Sequence, residues 1–356
     1  METSEAINWL KNNNLYESAK HISPILKKVF SSSLGIRDEK ILIIGDIGFA
    51  NRNISSLLSG AYYLAAEELK FDTKFVLQKP KHTDSLAEED VISSMEDLQE
   101  QSAVILNLSN KLGNLGDLGK SFRKLCKKKN YRFISSLGLG DLTNDKLGLI
   151  LPAIDVSYKT LQLRYEKLKA LLDNGNEINV KTKLGTDLYF NIKGMKAVSA
   201  DGNYNVPGKG GNLPAGEVYI PPNGKRVEGK VVIDGSSRNH VGTVLIKTPI
   251  TITIEEGSAT SIEGGKEAKI LEKALKLAAD KAKYPALVNR VCEFGIGINP
   301  NAKIIGATII DEKALGTAHI AIGSNYWFGG DIYTIVHLDQ IFKEPVIRVD
   351  GKVLEL

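Results

Sequence analysis

The feature that most constrains the fold is a change of hydrophobic period partway along the chain. Between residues 40 and 138, short apolar runs alternate with amphipathic segments. KILIIGD (40–46), TKFVLQ (73–78), SAVILNLS (102–109) and YRFISSLG (131–138) read as strands. Between them NISSLLSGAYYLAAEELK (53–70), LAEEDVISSMEDLQE (86–100) and LGKSFRKLCKKK (118–129) read as helices, the first with Asn53 as a plausible N-cap. Continuous apolar strands alternating with helices predict a mostly parallel sheet covered on both faces. Residues 1–35 also read as helical, with Ile7, Leu10, Ile22, Ile25, Leu26, Val29 and Phe30 at spacings of three and four. VSYKTLQLRYEKLKALLDNG (156–175) reads as a long helix with a glycine stop. From residue 176 the period becomes two. EINVKTKLGTDLYFNIKG, GKVVIDGS and GTVLIKTPITITIEEGSATSIEGG alternate, punctuated by Gly, Pro and Asn, and one helix interrupts them at 266–283. At 356 residues the chain is too long for one small core. The expectation is an α/β domain over 1–175, followed by a β-rich α+β domain over 176–356.

Charge and cysteine usage narrow the function classes. Lys and Arg number 46 against 42 Asp and Glu, and the net +4 is spread along the chain. The basic run RKLCKKKN (123–130) reads as a solvated helix end, so no nucleic-acid partner is expected. Cys126 and Cys292 are far apart, which leaves no disulfide framework or Cys-based zinc site and suits a reducing cytoplasm. The start, METSEAINWLKNNN, does not read as a signal peptide. No apolar run reaches the roughly 20 residues of a membrane span. GDIGFAN (45–51) and GLGDLTND (138–145) stand where phosphate-binding turns could lie, but the first lacks the third glycine and both read as ordinary turns. The sequence holds no Walker A motif, no G-x-S-x-G and no H-E-x-x-H.

Parity in the second half is more informative, because side chains alternate between the faces of a strand. In VCEFGIGINP (291–300), Glu293 shares its face with Gly295 and Gly297, while Cys292, Phe294, Ile296 and Ile298 take the other. In GTAHIAIG (316–323), His319 has Thr317, Ala321 and Gly323 on its face. In TIVHLDQIF (334–342), His337 and Asp339 share a face with Cα atoms about 7 Å apart. In LPAGEVYIPP (213–222), Glu217 lies on the face of Ala215 and Tyr219. Any one of these has an ordinary reading as a hydrogen-bonded core histidine or a solvated carboxylate. Together they place two glutamates, two histidines and an aspartate on strand-like segments beside small residues. His21, His82 and His240 sit in polar or loop settings. Mixed His and carboxylate donors without cysteine suit Zn, Mn, Co or Fe(II).

At these stretches the sequence resembles the aminopeptidase T and aminopeptidase S family of dinuclear metalloaminopeptidases. GTDLYFNI (185–192), NLPAGEVYIPP (212–222), EGKVVIDGS (228–236), EFGIGINPNAKI (293–304), DEKALGTAHIAIGSNY (311–326), HLD (337–339) and RVDGK (348–352) carry the resemblance. It covers about residues 180–356, and the first half is similar only in general α/β character. The resemblance implies Glu217, Glu293, His319, His337 and Asp339 as metal ligands, with Glu293 the residue that would bridge two ions. It places Tyr326 near the metals. Ring-cleaving dioxygenases acting on dihydroxypyridines share the scaffold and use one Fe(II), a requirement met by His319, His337 and Asp339. Family members are commonly homodimers.

Two enzymatic expectations follow. The first is a cytoplasmic, homodimeric metalloaminopeptidase. Two divalent ions (Zn, Co or Mn) would activate a water against the first peptide bond, with Tyr326 at the oxyanion and Glu293 or Glu217 moving the proton. The alternative is a mononuclear Fe(II) ring-cleaving dioxygenase, in which Glu217 and Glu293 contact substrate. A non-catalytic small-ligand protein using the GDIGFAN or GLGDLTN loops is a third reading.

Overall fold

The computed structural model describes residues 1–82, 85–119 and 121–355. It separates into two compact units. One comprises residues 1–159 and 202–214, the other residues 160–201 and 215 onward. The division falls near the start of the helix Tyr158–Asn174, not at the expected 175/176, and the excursion 202–214 returns to the first unit. The cause of that return is the strand Gly210–Asn212, which pairs in parallel with Arg132–Ser136. A three-residue GGN strand offers no hydrophobic period to read.

In the first unit, five parallel strands run in the order Thr73–Gln78, Ile41–Asp46, Ala103–Asn107, Arg132–Ser136, Gly210–Asn212. The Ile41–Asp46 strand is buried throughout, as a strand covered on both faces should be. Val91, Ile92 and Met95 of the helix Glu89–Glu96 pack with Leu42, Ile44, Val76 and Val104 in one core. That helix is shorter than the predicted 86–100. The predicted helix 118–129 is a short 3₁₀ turn, Gly116–Leu118, and then a helix, Phe122–Lys129, with Lys120 outside the described residues. Asn53 holds the expected N-cap position, its carbonyl accepting the Leu57 amide at 2.9 Å, but its side chain makes no capping bond. Its Nδ2 donates to the Ile47 carbonyl at 2.9 Å and its Oδ1 accepts from Asn144 Nδ2 at 3.2 Å. The helix Leu147–Ile154 has no counterpart in the sequence reading, because LGLILPAI shows no polar face. The GDIGFAN turn is knit from within: buried Asp46 accepts from the Ser109 and Gly48 amides at 2.7 and 3.0 Å.

The second unit holds two antiparallel seven-stranded sheets. One runs Ser258–Glu263, Ile250–Glu255, Val227–Ile233, Asp187–Asn191, Glu177–Lys181, Val346–Val349, Lys352–Val353. The other runs Gly242–Leu245, Ser236–Asn239, His337–Lys343, Thr317–Gly323, Val291–Gly297, Glu217–Ile220, Val198–Ala200. Phe190 of the first and Phe294 of the second meet with ring centroids 5.0 Å apart, so Phe294 of the apolar parity set faces a core, whereas Cys292, at a register shift in the strand, has its Sγ 3.6 Å from His337 Nδ1. No described helix is long and apolar enough to cross a membrane.

Candidate metal centre

Four neighbouring strands of the second sheet, from His337–Lys343 to Glu217–Ile220, carry the predicted residues. Across them Glu217 stands opposite Gly297, His319 opposite Gly295, Ala321 opposite both Glu293 and Asp339, and His337 opposite Gly323. Opposed residues in antiparallel pairs share a face, so all five candidates lie on one face. The small residues between them have distinct jobs. A Cβ on Gly295 would lie 2.1 Å from His319 Cε1, so that glycine makes room for the imidazole itself. A Cβ on Gly297 would meet the Ala314 carbonyl at 2.2 Å, so that glycine admits a backbone.

Both imidazoles aim Nε2 at the same carboxylate. His319 Nε2 lies 3.1 Å from Glu293 Oε1, and His337 Nε2 lies 3.5 Å from Glu293 Oε2 and 3.1 Å from Asp339 Oδ1. His319 Nε2 is also 3.8 Å from Glu217 Oε2. The Nδ1–H of His337 donates to the Ser324 carbonyl at 2.8 Å, which leaves Nε2 as the ligand atom. His319 Nδ1 is buried with no hydrogen-bond partner among the described residues. Among the described residues, three groups could hold a metal ion: Glu217–Glu293–His319, Glu293–His337–Asp339 and Glu312–His319–Asp339. The two histidines do not occur together in any one of them, but each is grouped with Glu293 and with Asp339.

Two participants were not read from the sequence. Glu312 joins a ligand group, and the neighbouring Lys313 is fully buried with its Nζ 2.5 Å from Glu217 Oε1 and bonded to Glu312. They follow the short helix Thr308–Asp311, where no period reveals burial. The charged DEK triplet directly before the His319 strand was the available signal. The aromatic lining also differs in its residues. Tyr326 is 66% exposed and packs edge-on against Tyr333 at 5.6 Å. Trp327 and Phe328, in the same turn, stand edge-on to His337 at 5.0 and 6.2 Å. Phe328 also meets Tyr219 at 5.1 Å.

Electrostatics follow from this crowding. Burial opposes a charged His319, but the Glu293 hydrogen bond and the charges of Glu293, Glu217 and Asp339 outweigh it and push the pKa up to about 9. Burial opposes a charged His337 too, and Asp339 foremost raises its pKa well above the usual value. Asp339 would be raised by burial, yet the His337 charge and hydrogen bond bring it down to about 2. Burial, then the charge of Glu217, pushes Glu312 up to about 8. The face thus carries more carboxylates than fixed cations and balances them with protons on the histidines. A divalent cation would replace those protons, and the His and carboxylate donors fit one.

Comparison with known proteins bears on the reaction. The family model described as NicX: 2,5-dihydroxypyridine 5,6-dioxygenase matches residues 155–355. The 2,5-dihydroxypyridine 5,6-dioxygenase of Pseudomonas putida is 27% identical over 203 residues, 53% of this chain and 55% of that protein. The chain therefore matches about half the length of this curated relative. Among solved structures, the 2,5-dihydroxypyridine dioxygenase from Pseudomonas putida superposes with a TM-score of 0.70 at 18% identity, covering 95% of this chain and 96% of that one. Wild-type AmpT from Thermus thermophilus gives 0.61 at 16%, covering 94% and 97%. At such identities the two structures show the fold alone, and they bear out the α/β half followed by a β-rich half. The activity expected first is corrected. The family model and the sequence relative are both dioxygenases, whereas aminopeptidase T is reached through the fold only. A peptide hydrolase, a protease and a zinc or cobalt site are not what they support; metal binding is.

Proposed function

The chain belongs to the NicX, 2,5-dihydroxypyridine 5,6-dioxygenase, family, and from that premise we propose that it is a ring-cleaving dioxygenase of a dihydroxypyridine using one Fe(II). The observation that carries the reading is the convergence of two histidine Nε2 atoms on one carboxylate-bearing sheet face beside an aromatic pair. His319, His337 and Asp339 would hold the ion, the two-histidine, one-carboxylate set of non-haem Fe(II) oxygenases. Bound there, Fe(II) supplies O2 activation and a Lewis acid for a substrate hydroxyl.

The chain's own residues do the rest. The Ser324 carbonyl holds the His337 tautomer, and Asp339 stands against His337 Nε2. The edges of Trp327 and Phe328 beside His337 offer an aromatic ring something to stack on. Glu293, whose carboxyl is pushed up by burial, would accept the hydroxyl proton at Oε2 as the substrate binds. In the overall reaction one O2 adds across one ring bond, the bond breaks, and each of its carbons keeps one oxygen. No external reductant is consumed. The resemblance also supports a homodimer, which light scattering would check, and the two widely separated cysteines suit a reducing cytoplasm.

Protein purified without air and loaded with Fe(II) should take up O2 when 2,5-dihydroxypyridine is added. His337→Ala should lose both the iron and the uptake. Iron-loaded wild type that is inert toward dihydroxypyridines, or full uptake by His337→Ala, would sink the proposal.

A further inference from the structure

Lys313 stands in the middle of a face otherwise built from carboxylates and histidines. Its side chain is wholly buried, and its ammonium bonds Glu217 Oε1 at 2.5 Å and Glu312 Oε1. Its backbone is pinned on both sides: its amide donates to the Ile310 carbonyl at 3.0 Å, and its carbonyl accepts from the Asn299 amide at 2.8 Å. A buried ammonium is tolerated only when paired, and two carboxylates hold this one. Those carboxylates belong to different ligand groups. Glu217 stands with Glu293 and His319, and Glu312 with His319 and Asp339. The remaining group, Glu293–His337–Asp339, includes neither of them.

We propose that Lys313 is a built-in monovalent cation standing where a second metal ion would otherwise bind, so that the five-ligand face takes one ion. This deepens the one-iron reading above and rests on it. A second divalent ion beyond the His319–His337–Asp339 set would need an oxygen of Glu217 or Glu312, and would stand beside a fixed ammonium. Like charges a few ångströms apart in a water-poor site repel strongly. Two carboxylate partners hold the wholly buried ammonium in place, and its backbone is bonded on both sides. Lys313 is a positioning residue: it sets how many ions the face accepts without touching a reacting atom.

Mn(II), an air-stable stand-in for Fe(II), tests this by calorimetric titration and elemental analysis of folded protein. Wild type should bind one Mn(II) per chain. Lys313→Met should bind two, the second recruited by the freed Glu217 and Glu312. Because that variant leaves two buried carboxylates unpaired, a triple variant combining E217Q, E312Q and K313M removes the whole charged trio. It should keep one Mn(II). Two ions in wild type, one ion in folded Lys313→Met, or none in the triple variant would each overturn the inference. The counts need no turnover. A protein that binds one Mn(II) but takes up no O2 when iron-loaded would refute the dioxygenase reading and leave the role of Lys313 standing.

Discussion

Replacing Gly295 by alanine should damage the metal centre without touching a ligand. The residue stands opposite His319 across the strand pair. An added Cβ would meet His319 Cε1 at 2.1 Å and Nε2 at 2.2 Å, where ordinary contact begins near 3.4 Å, so the ring must give way by about 1.3 Å. His319 is fully buried, and its Nε2 contact to Glu293 is 3.1 Å long, so a retreat of that size breaks it. Gly295 does not occupy the left-handed region, so the effect is steric and not backbone strain. Overpacking of this kind costs about 1–3 kcal/mol. Mispositioning the imidazole should weaken ion binding on the order of 10–100-fold, as the loss of an orienting partner does. Urea unfolding of the metal-free protein measures the first quantity, and Mn(II) calorimetry the second. Gly148→Ala is the control. It lies in the helix Leu147–Ile154 with nothing within 4 Å of the new Cβ. It should gain up to about 1 kcal/mol of stability. Wild-type stability and wild-type Mn(II) affinity in Gly295→Ala would refute the packing argument.

Other expectations follow from the same geometry. In the metal-free protein His319 titrates near 9, raised from 6.5, so its stabilising protonation is complete below pH 6.5 and lost as pH climbs through 9. Urea stability of that form should fall across this interval, Mn(II) affinity should rise across it, and a flat profile for both would contradict the ion pairing. Trp327→Ala should raise the KM for a dihydroxypyridine by about 2–10-fold, the worth of an aromatic contact, while the ion count stays at one; an unchanged KM would remove Trp327 from the substrate wall. Asp46→Ala, which strips the acceptor from the Ser109 and Gly48 amides, should cost about 1–3 kcal/mol on urea unfolding and leave Mn(II) binding intact.

Much of this fold is visible in the sequence because burial imposes a period. The apolar runs 41–46 and 103–107 read as covered strands, and the alternation around Glu293, His319, His337 and Asp339 singled each out beside small residues on its own strand; the strand register then brings them to one face. Where period is absent, the sequence is silent. The helix Leu147–Ile154 is apolar all round, Gly210–Asn212 is nearly side-chain free, and Glu312–Lys313 lies in a turn. Asn53 is the N-cap residue the sequence suggests, but its side-chain amide is bonded to Ile47 and Asn144 instead of to the helix. The reaction was the least legible part. The same five ligands, of three residue types, serve a hydrolytic ion pair or a single iron, and what separates the two readings here is family membership.

Labelling with 18O2 tests the central claim most directly. Fe(II)-loaded protein turning over 2,5-dihydroxypyridine under 18O2 should release a ring-opened product carrying both heavy atoms, with one O2 consumed per ring. A product carrying one label or none, or loss of substrate without O2 uptake, would contradict the account.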